Sequence, residues 1–364
     1  KGVVNILGNG VALDCESLWT EMSDVMDQGV AITPDNLKIS DRAIICLPYH
    51  VQQDGLEEDR LGDAKYGSTR RGIAPVYGDK YLKKCIRMGD LLYPEAMKKR
   101  LRGIVEWKDL LIHDGYKADH ISYDEIISWL ETYGGQLKDH VCDLGVYLTE
   151  QIQNGKSIMF EAQLGALRDI DFGIYPFTSS SSTISAYAPI GAGIPGKKLD
   201  LCIGIMKAYS SCVGEGPFTC ELFGKEAEAL REAGGEYGAA TGRPRRVGPF
   251  DVVASRYGVR MQGADELALT KMDVLSYLDR IPVCTAYDVN GTITHEFPFG
   301  DHLNEAKPVI EYVPGWHCDI SSCRKKEDLP KEALDYVAYL EKAVGCKIRY
   351  VSVGPDRYAY IDMH

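Results

Sequence analysis

Apolar runs of strand length recur along the chain, separated by stretches of helical spacing. Val3-Val4-Asn5-Ile6-Leu7 reads as a buried strand closed by a Gly8-Asn9-Gly10 turn. Leu13, Leu18, Met22 and Met26 recur at helical intervals, and Ala43 to Leu47 is again a strand-length apolar run. From Tyr93 to Gln153 the pattern is charged and helical, with Leu101, Ile104, Trp107 and Leu111 and later Ile126, Trp129 and Leu130 marking apolar faces. Strands are expected at Ser157 to Phe160, Leu201 to Tyr209, the apolar run before Thr270, and Ile348 to Val353, with a helix over Lys331 to Ala343. Strands alternating with helices predict an α/β fold, a central mostly parallel sheet flanked by helices. We expect residues 1–364 to form a single large domain with smaller lobes.

Polar punctuation marks where chemistry could sit. The stretch Gly234 to Asp251, GGEYGAATGRPRRVGPFD, places three arginines within four positions after a run of small residues. Gly238 and Gly242 can adopt positive φ, and arginine's planar fork matches a carboxylate or phosphate two bonds at a time. Such a loop can clamp a small dianion; the same pattern also suits a solvated basic turn. Gly67 to Lys84, GSTRRGIAPVYGDKYLKK, sets glycines and a Ser-Thr pair before a helix whose first turn takes Pro75. Backbone amides there could cradle a phosphate, although the Gly-Lys-Ser/Thr of a Walker A loop is missing and a basic surface turn fits too. After an apolar strand, Thr270-Lys271-Met272-Asp273 has the spacing of a guanine-specific site, where one carboxylate accepts from the ring N–H and the exocyclic amine. A lone His50 after Pro48-Tyr49 reads as structural.

Charge and cysteine content narrow the function classes. The net charge of −12 argues against a general nucleic-acid binder, so the local basic clusters must serve small anions. Eleven cysteines are scattered without zinc-site spacing and fit free thiols in a reducing cytoplasm. No apolar run approaches the roughly 18 residues of a membrane helix.

The polar stretches also carry a resemblance. GEYGAATGRPRR is similar to the aspartate-binding loop of the adenylosuccinate synthetases, which join aspartate to IMP using GTP. GSTRRGIAP resembles that family's IMP-phosphate loop, and Glu161 to Thr183 its F-E-G-A-Q-G…D-I-D-x-G-x-Y-P…T-S-S-N-T segment. Lys207-Ala208-Tyr209 through Val213-Gly214-Glu215-Gly216-Pro217-Phe218, Leu269 to Leu275, Pro314-Gly315-Trp316 and Val353-Gly354-Pro355-Asp356-Arg357 follow in the family's order. The resemblance covers essentially the whole chain. It implies IMP contacts from Ser68, Thr69, Gln163, Ser179 and Arg243, and from Lys83 reaching into a partner subunit of a homodimer. It implies that Thr241, Arg243 and Arg245 hold aspartate, and that Arg245, Lys271, Asp273, Ser352, Gly354 and Pro355 serve GTP. Magnesium is implied with GTP. Two positions depart from the family: Leu164 stands where an ungapped match places the base-binding glutamine, with Gln163 one place early, and Lys83 replaces an arginine.

The resemblance further implies a phosphate loop, G-D-E-G-K-G-K, and a G-H-N-A-G-H-T segment, upstream of Gly8-Asn9-Gly10. They would carry the catalytic aspartate and histidine, and no catalytic residue or metal ligand is expected within residues 1–364. The expected activity is a GTP-dependent ligase forming adenylosuccinate through 6-phosphoryl-IMP. The alternative is a nucleotide-binding remnant, or one subunit of a split protein, without catalysis.

Overall fold

The computed structural model describes residues 2–238 and 242–364. The chain packs as two compact units, one of Lys1–Gln163 with Ser179–Ser182 and Ala186–Lys198, the other of Leu164–Thr178, Thr183–Ser185 and Leu199–His364.

In the first unit three strands pair in parallel in the order Asn5–Leu7, Leu37–Ser40, Val141–Cys142, with Leu7 opposite Ile39 and Ile39 opposite Val141. The first strand is less buried than its apolar sequence suggests, and Val3 is exposed. Ala43 to Leu47 is buried throughout, and its Ile44–Ile45 pairs in parallel with Ala12–Leu13. Helices Cys15–Asp27, Pro48–Leu61, Ile73–Leu82 and Pro94–Asp109 pack around these strands. Asp14 caps the first of them, accepting from Ser17 N at 3.0 Å and satisfying an orphan amide of the first turn. The buried stripe of Pro94–Asp109 runs through Met97, Leu101, Ile104, Val105 and Lys108. Trp107 and Leu111, expected on that face, are exposed: a period of 3.6 carries Trp107 off the stripe, and Leu111 lies in the π turn Leu110–Gly115, where the helix widens. Residues 157–160 take no strand pairing, and Met159 is exposed.

In the second unit a four-stranded sheet runs Tyr360–Asp362, Lys347–Ser352, Glu266–Thr270, Ile203–Lys207. The last three strands are parallel and the first is antiparallel. Helix Lys331–Val344 buries Ala333, Tyr336, Val337, Leu340 and Val344, the i, i+3, i+4, i+7 stripe of an amphipathic helix, in the cluster formed with Leu267, Leu269, Ile348 and Val351. A second sheet pairs Arg280–Val289 with Ala306–Pro314 and Thr292–Thr294 in antiparallel fashion, and Phe250–Asp251 adds in parallel. Ser210–Cys212 and Arg246–Gly248 form a separate antiparallel pair that fixes the base of the arginine loop.

Candidate functional site

In the first unit, the loop at 66–72 is shaped by three left-handed residues, Gly67, Arg70 and Gly72, and by carboxylates of the Pro48–Leu61 helix. Asp54 accepts from Ser68 Oγ at 2.8 and 2.9 Å and from Gly72 N at 2.9 Å. Glu58 accepts from Tyr66 N and Gly67 N, both at 3.1 Å. Both carboxylates are buried, and hydrogen bonds to the loop replace the water they lost. The Ser68 hydroxyl is thus engaged within the protein, while Thr69 stays exposed at the crest of the loop. Helix Ile73–Leu82 begins immediately after, its first-turn amides at the loop. Lys83 closes that helix in a left-handed conformation and is exposed.

Beneath this loop lies a buried polar cluster. His50 Nδ1 accepts from Leu47 N at 2.9 Å, so the proton sits on Nε2, which donates to Asp79 at 3.0 Å. Lys108 Nζ donates to Asp79 at 2.8 Å and to Gln53 Oε1 at 2.8 Å. Burial holds His50 below the ordinary histidine pKa, outweighing the pull of Asp79, and the ring is neutral. Asp79, held by His50 and Lys108, ties three helices together, and the role of His50 is structural.

Gln163 is exposed, and the neighbouring Leu164 takes a left-handed φ of 73° with its side chain in solvent. Ser179 Oγ shares a hydrogen bond with Ser181 Oγ at 2.9 Å. In the second unit, buried Asp169 organises the D-I-D turn, accepting from Asp171 N, Phe172 N and Thr183 N at 2.9, 3.1 and 2.6 Å.

The second unit gathers its candidate groups at the carboxyl ends of three adjacent parallel strands, the usual place for ligands in an α/β sheet. Ile203–Lys207 ends in Lys207, and Glu266–Thr270 is followed by Lys271 and Asp273. Lys347–Ser352 leads into Ser352-Val353-Gly354-Pro355, where Ser352 Oγ donates to Gly354 O at 3.0 Å. Lys271 is left-handed, with φ of 61°. Burial pushes the Asp273 carboxyl above the usual carboxylate range, with Lys271 opposing. A desolvated carboxylate gains most from a ligand that brings its own N–H donors. The Pro-Gly-Trp turn backs this corner: a Cβ on Gly315 would lie 1.9 Å from Leu278 O, and Trp316 Nε1 donates to Ser276 Oγ at 2.9 Å.

The arginine loop divides its three arginines between tasks. Arg243 is half exposed and lies 3.3 Å from Glu215 Oε1. Arg245 donates to Glu236 Oε2 at 3.1 Å. Arg246 makes a bidentate pair with Glu221 at 2.9 and 2.5 Å and reaches Gly216 O at 2.8 Å. Arg168 grips the same Val-Gly-Glu-Gly turn, donating to Val213 O at 2.7 Å. The loop neck closes where Tyr237 bridges Pro244 and Gly238 N donates to Arg243 O at 2.8 Å. Thr241 lies outside the described residues.

Glu236 has no place in the sequence reading, although it lies inside the loop motif. Its side chain is fully buried and accepts from Lys207 Nζ at 2.7 Å and Tyr209 Oη at 2.5 Å besides Arg245. Burial alone would raise its pKa, but the Lys207 and Tyr209 hydrogen bonds and the Lys271 charge hold the carboxyl below the usual range. A single glutamate seven positions before the arginine run is the available signal; which bases it meets depends on the fold.

Comparisons with known proteins identify the family. The profile of the family described as Adenylosuccinate synthetase matches residues 1–361. An adenylosuccinate synthetase of Caldanaerobacter subterraneus subsp. tengcongensis is 42% identical over 353 residues, spanning 97% of this chain and 82% of that protein. One from Streptococcus gordonii is 42% identical over 355 residues with the same coverage. A solved structure of fully ligated adenylosuccinate synthetase from Plasmodium falciparum superposes with a TM-score of 0.92 at 32% identity, covering 99% of this chain and 85% of that one.

Proposed function

The chain belongs to the adenylosuccinate synthetase family, and from that premise we infer that it is a GTP-dependent ligase joining L-aspartate to IMP to form adenylosuccinate. The γ-phosphoryl of GTP passes to the 6-oxygen of IMP, giving 6-phosphoryl-IMP and GDP. The amine of aspartate then displaces phosphate from that carbon. Activation is needed because the 6-oxygen is a poor leaving group, and transfer depends on positioned positive charge more than on covalent chemistry from the protein.

One observation carries the reading: Lys271, Asp273 and Ser352–Pro355 stand together at the ends of paired parallel strands, beside the arginine loop base that Glu236 ties to Lys271. Asp273 accepts the two guanine donors, the Lys271 stem lies along the base, and Ser352, Gly354 and Pro355 back the ring. Arg243, Arg245 and Thr241 take the aspartate carboxylates, and Arg245 also serves GTP. In the first unit Thr69 offers its hydroxyl, and Ser68 its place in the loop, to the IMP phosphate, with Ser179 and Gln163 as further IMP contacts. We treat residues 1–364 as one synthetase-like domain working as a homodimer, with Lys83 extending to the partner. Magnesium accompanies the GTP phosphates. Among the described residues no three His, Cys, Asp or Glu side chains form a cage for it. The eleven free thiols favour a reducing compartment, the cytoplasm. No described helix is long and apolar enough to cross a membrane.

The test is turnover with IMP, GTP, magnesium and aspartate, followed by absorbance, alongside calorimetric titration of guanine and adenine nucleotides. In a protein that carries the upstream phosphate loop implied by the resemblance, adenylosuccinate should form only when all three substrates are present. Asp273→Asn should weaken GTP by roughly tenfold to a hundredfold and narrow its advantage over ATP, because the amide nitrogen opposes the guanine donors. An unchanged preference for GTP removes Asp273 from that role. A protein that binds no guanine nucleotide and makes no product overturns the reading.

A further inference from the structure

We infer that Glu236 is a positioning residue shared by the guanine pocket and the aspartate loop, so that the two substrates are held through one buried carboxylate. The inference rests on the reading above.

Glu236 sits at the centre of a closed ring of contacts. Its Oε1 accepts from Lys207 and Tyr209 and lies 3.8 Å from Lys271 Nζ, while Oε2 accepts from Arg245 Nη1. The main chain adds two further ties. Glu236 O accepts from Arg245 N at 2.9 Å, so that arginine is gripped at its backbone and its guanidinium by the same residue. Lys271 Nζ donates to Gly234 O, two positions upstream, at 2.5 Å. Gly234 must be glycine for the ring to close, because a Cβ there would stand 2.3 Å from the Tyr209 hydroxyl. Lys271 lies on the segment that also carries Asp273, and Arg245 lies on the loop that also carries Arg243.

The charges give this ring its consequence. Three cations surround one carboxylate and a neutral phenol, so the cluster stays cationic and suits anionic ligands on either side. Without the carboxylate, Lys207, Lys271 and Arg245 repel one another in a half-buried site where water screens them poorly. Both pockets would then shift together. The neighbouring Arg246–Glu221 pair differs, since its contacts run to the glycine turn. A ligand that draws Lys271 or Arg245 toward itself changes what Glu236 offers to the other, and such coupling must be reciprocal.

The experiment is calorimetry on the full chain with IMP present. GDP stands in for GTP so that no turnover occurs, and GDP and L-aspartate are titrated each alone and each in the presence of the other. Wild type, Glu236→Gln and Tyr209→Phe are compared. Glu236→Gln should raise both Kd values by about tenfold, in the range found for contacting residues, and abolish the effect of either ligand on the other. Tyr209→Phe keeps the ring and removes one hydrogen bond to the carboxylate; both Kd values should rise by a smaller, common factor. If Glu236 only helps the chain fold, the stoichiometry falls with Kd unchanged, which overturns the inference. A variant that weakens one ligand alone also overturns it, while leaving the ligase reading intact. Wild type that binds no guanine nucleotide overturns both.

Discussion

Ser68 carries a hydroxyl that suits a phosphate and that the fold directs to Asp54. The loop is held by carboxylates from the neighbouring helix, so its conformation is set before any ligand arrives, which lowers the entropy lost on binding. His50 shows the same use of a reactive side chain for architecture. Its pKa lies below the ordinary 6.5 because burial disfavours the charged ring more than Asp79 favours it. The sign follows from linkage: the unfolded chain takes up the proton first, so the stability His50 contributes is complete above about 6.5 and shrinks as pH falls from there through the lower folded value. Urea unfolding between about pH 7.5 and 5.5 should show the midpoint falling with pH, with a shallower fall in His50→Gln. Equal slopes in the two proteins would mean that other groups govern this window.

At the level of elements, the start of helix Ile73–Leu82 depends on Gly72. Its φ of 78° is left-handed, and a Cβ there would lie 2.9 Å from Cys46 Sγ, His50 C and Val51 N. Two of those atoms are backbone of the Pro48–Leu61 helix, which cannot yield as a flexible side chain would. Gly72→Ala should therefore cost about 1–3 kcal/mol from the strained φ and the forced separation of the two helices. Chemical denaturation would show this as a lower midpoint with an unchanged slope, and IMP binding should weaken with it because the loop proposed to hold the IMP phosphate ends at this residue. A midpoint equal to that of wild type would show that the helices separate at no cost.

For the whole molecule, the net charge of −12 and the cationic patches are reconciled by locality. Arginines and lysines proposed to face ligands are balanced by acids a few ångströms away, buried at Glu236 and half-buried at Glu221. The homodimer proposal has a direct test. If Lys83 of one subunit completes the IMP site of the other, Lys83→Glu and Arg243→Leu should each be nearly inactive alone. Mixed and allowed to exchange subunits, they should regain up to about a quarter of wild-type activity, since a mixed dimer carries one site free of both changes. No recovery, in a mixture shown by mass to exchange, would place Lys83 outside the partner's site.

The linear chain determined the class of fold, the family and most of the candidate residues, for physical reasons that are local. Periodicity reports which face of an element is apolar, as in Lys331–Val344, and the Gly-rich, Arg-rich and Thr-Lys-x-Asp stretches keep their ligand chemistry within a few consecutive positions. Local pattern misjudged Trp107, and Ser157 to Phe160, where burial and pairing depend on neighbours distant in sequence. Only the tertiary structure decided which acid meets which base. Glu236 joins Lys207, Arg245 and Lys271 from positions 29, 9 and about 35 residues away because parallel strands end side by side, and Asp54 reaches Ser68 because two helices are closely apposed. Hydrogen-bond partnership in a buried site is fixed by three-dimensional proximity and by the cost of leaving a charge unpaired, and neither is written in the order of residues.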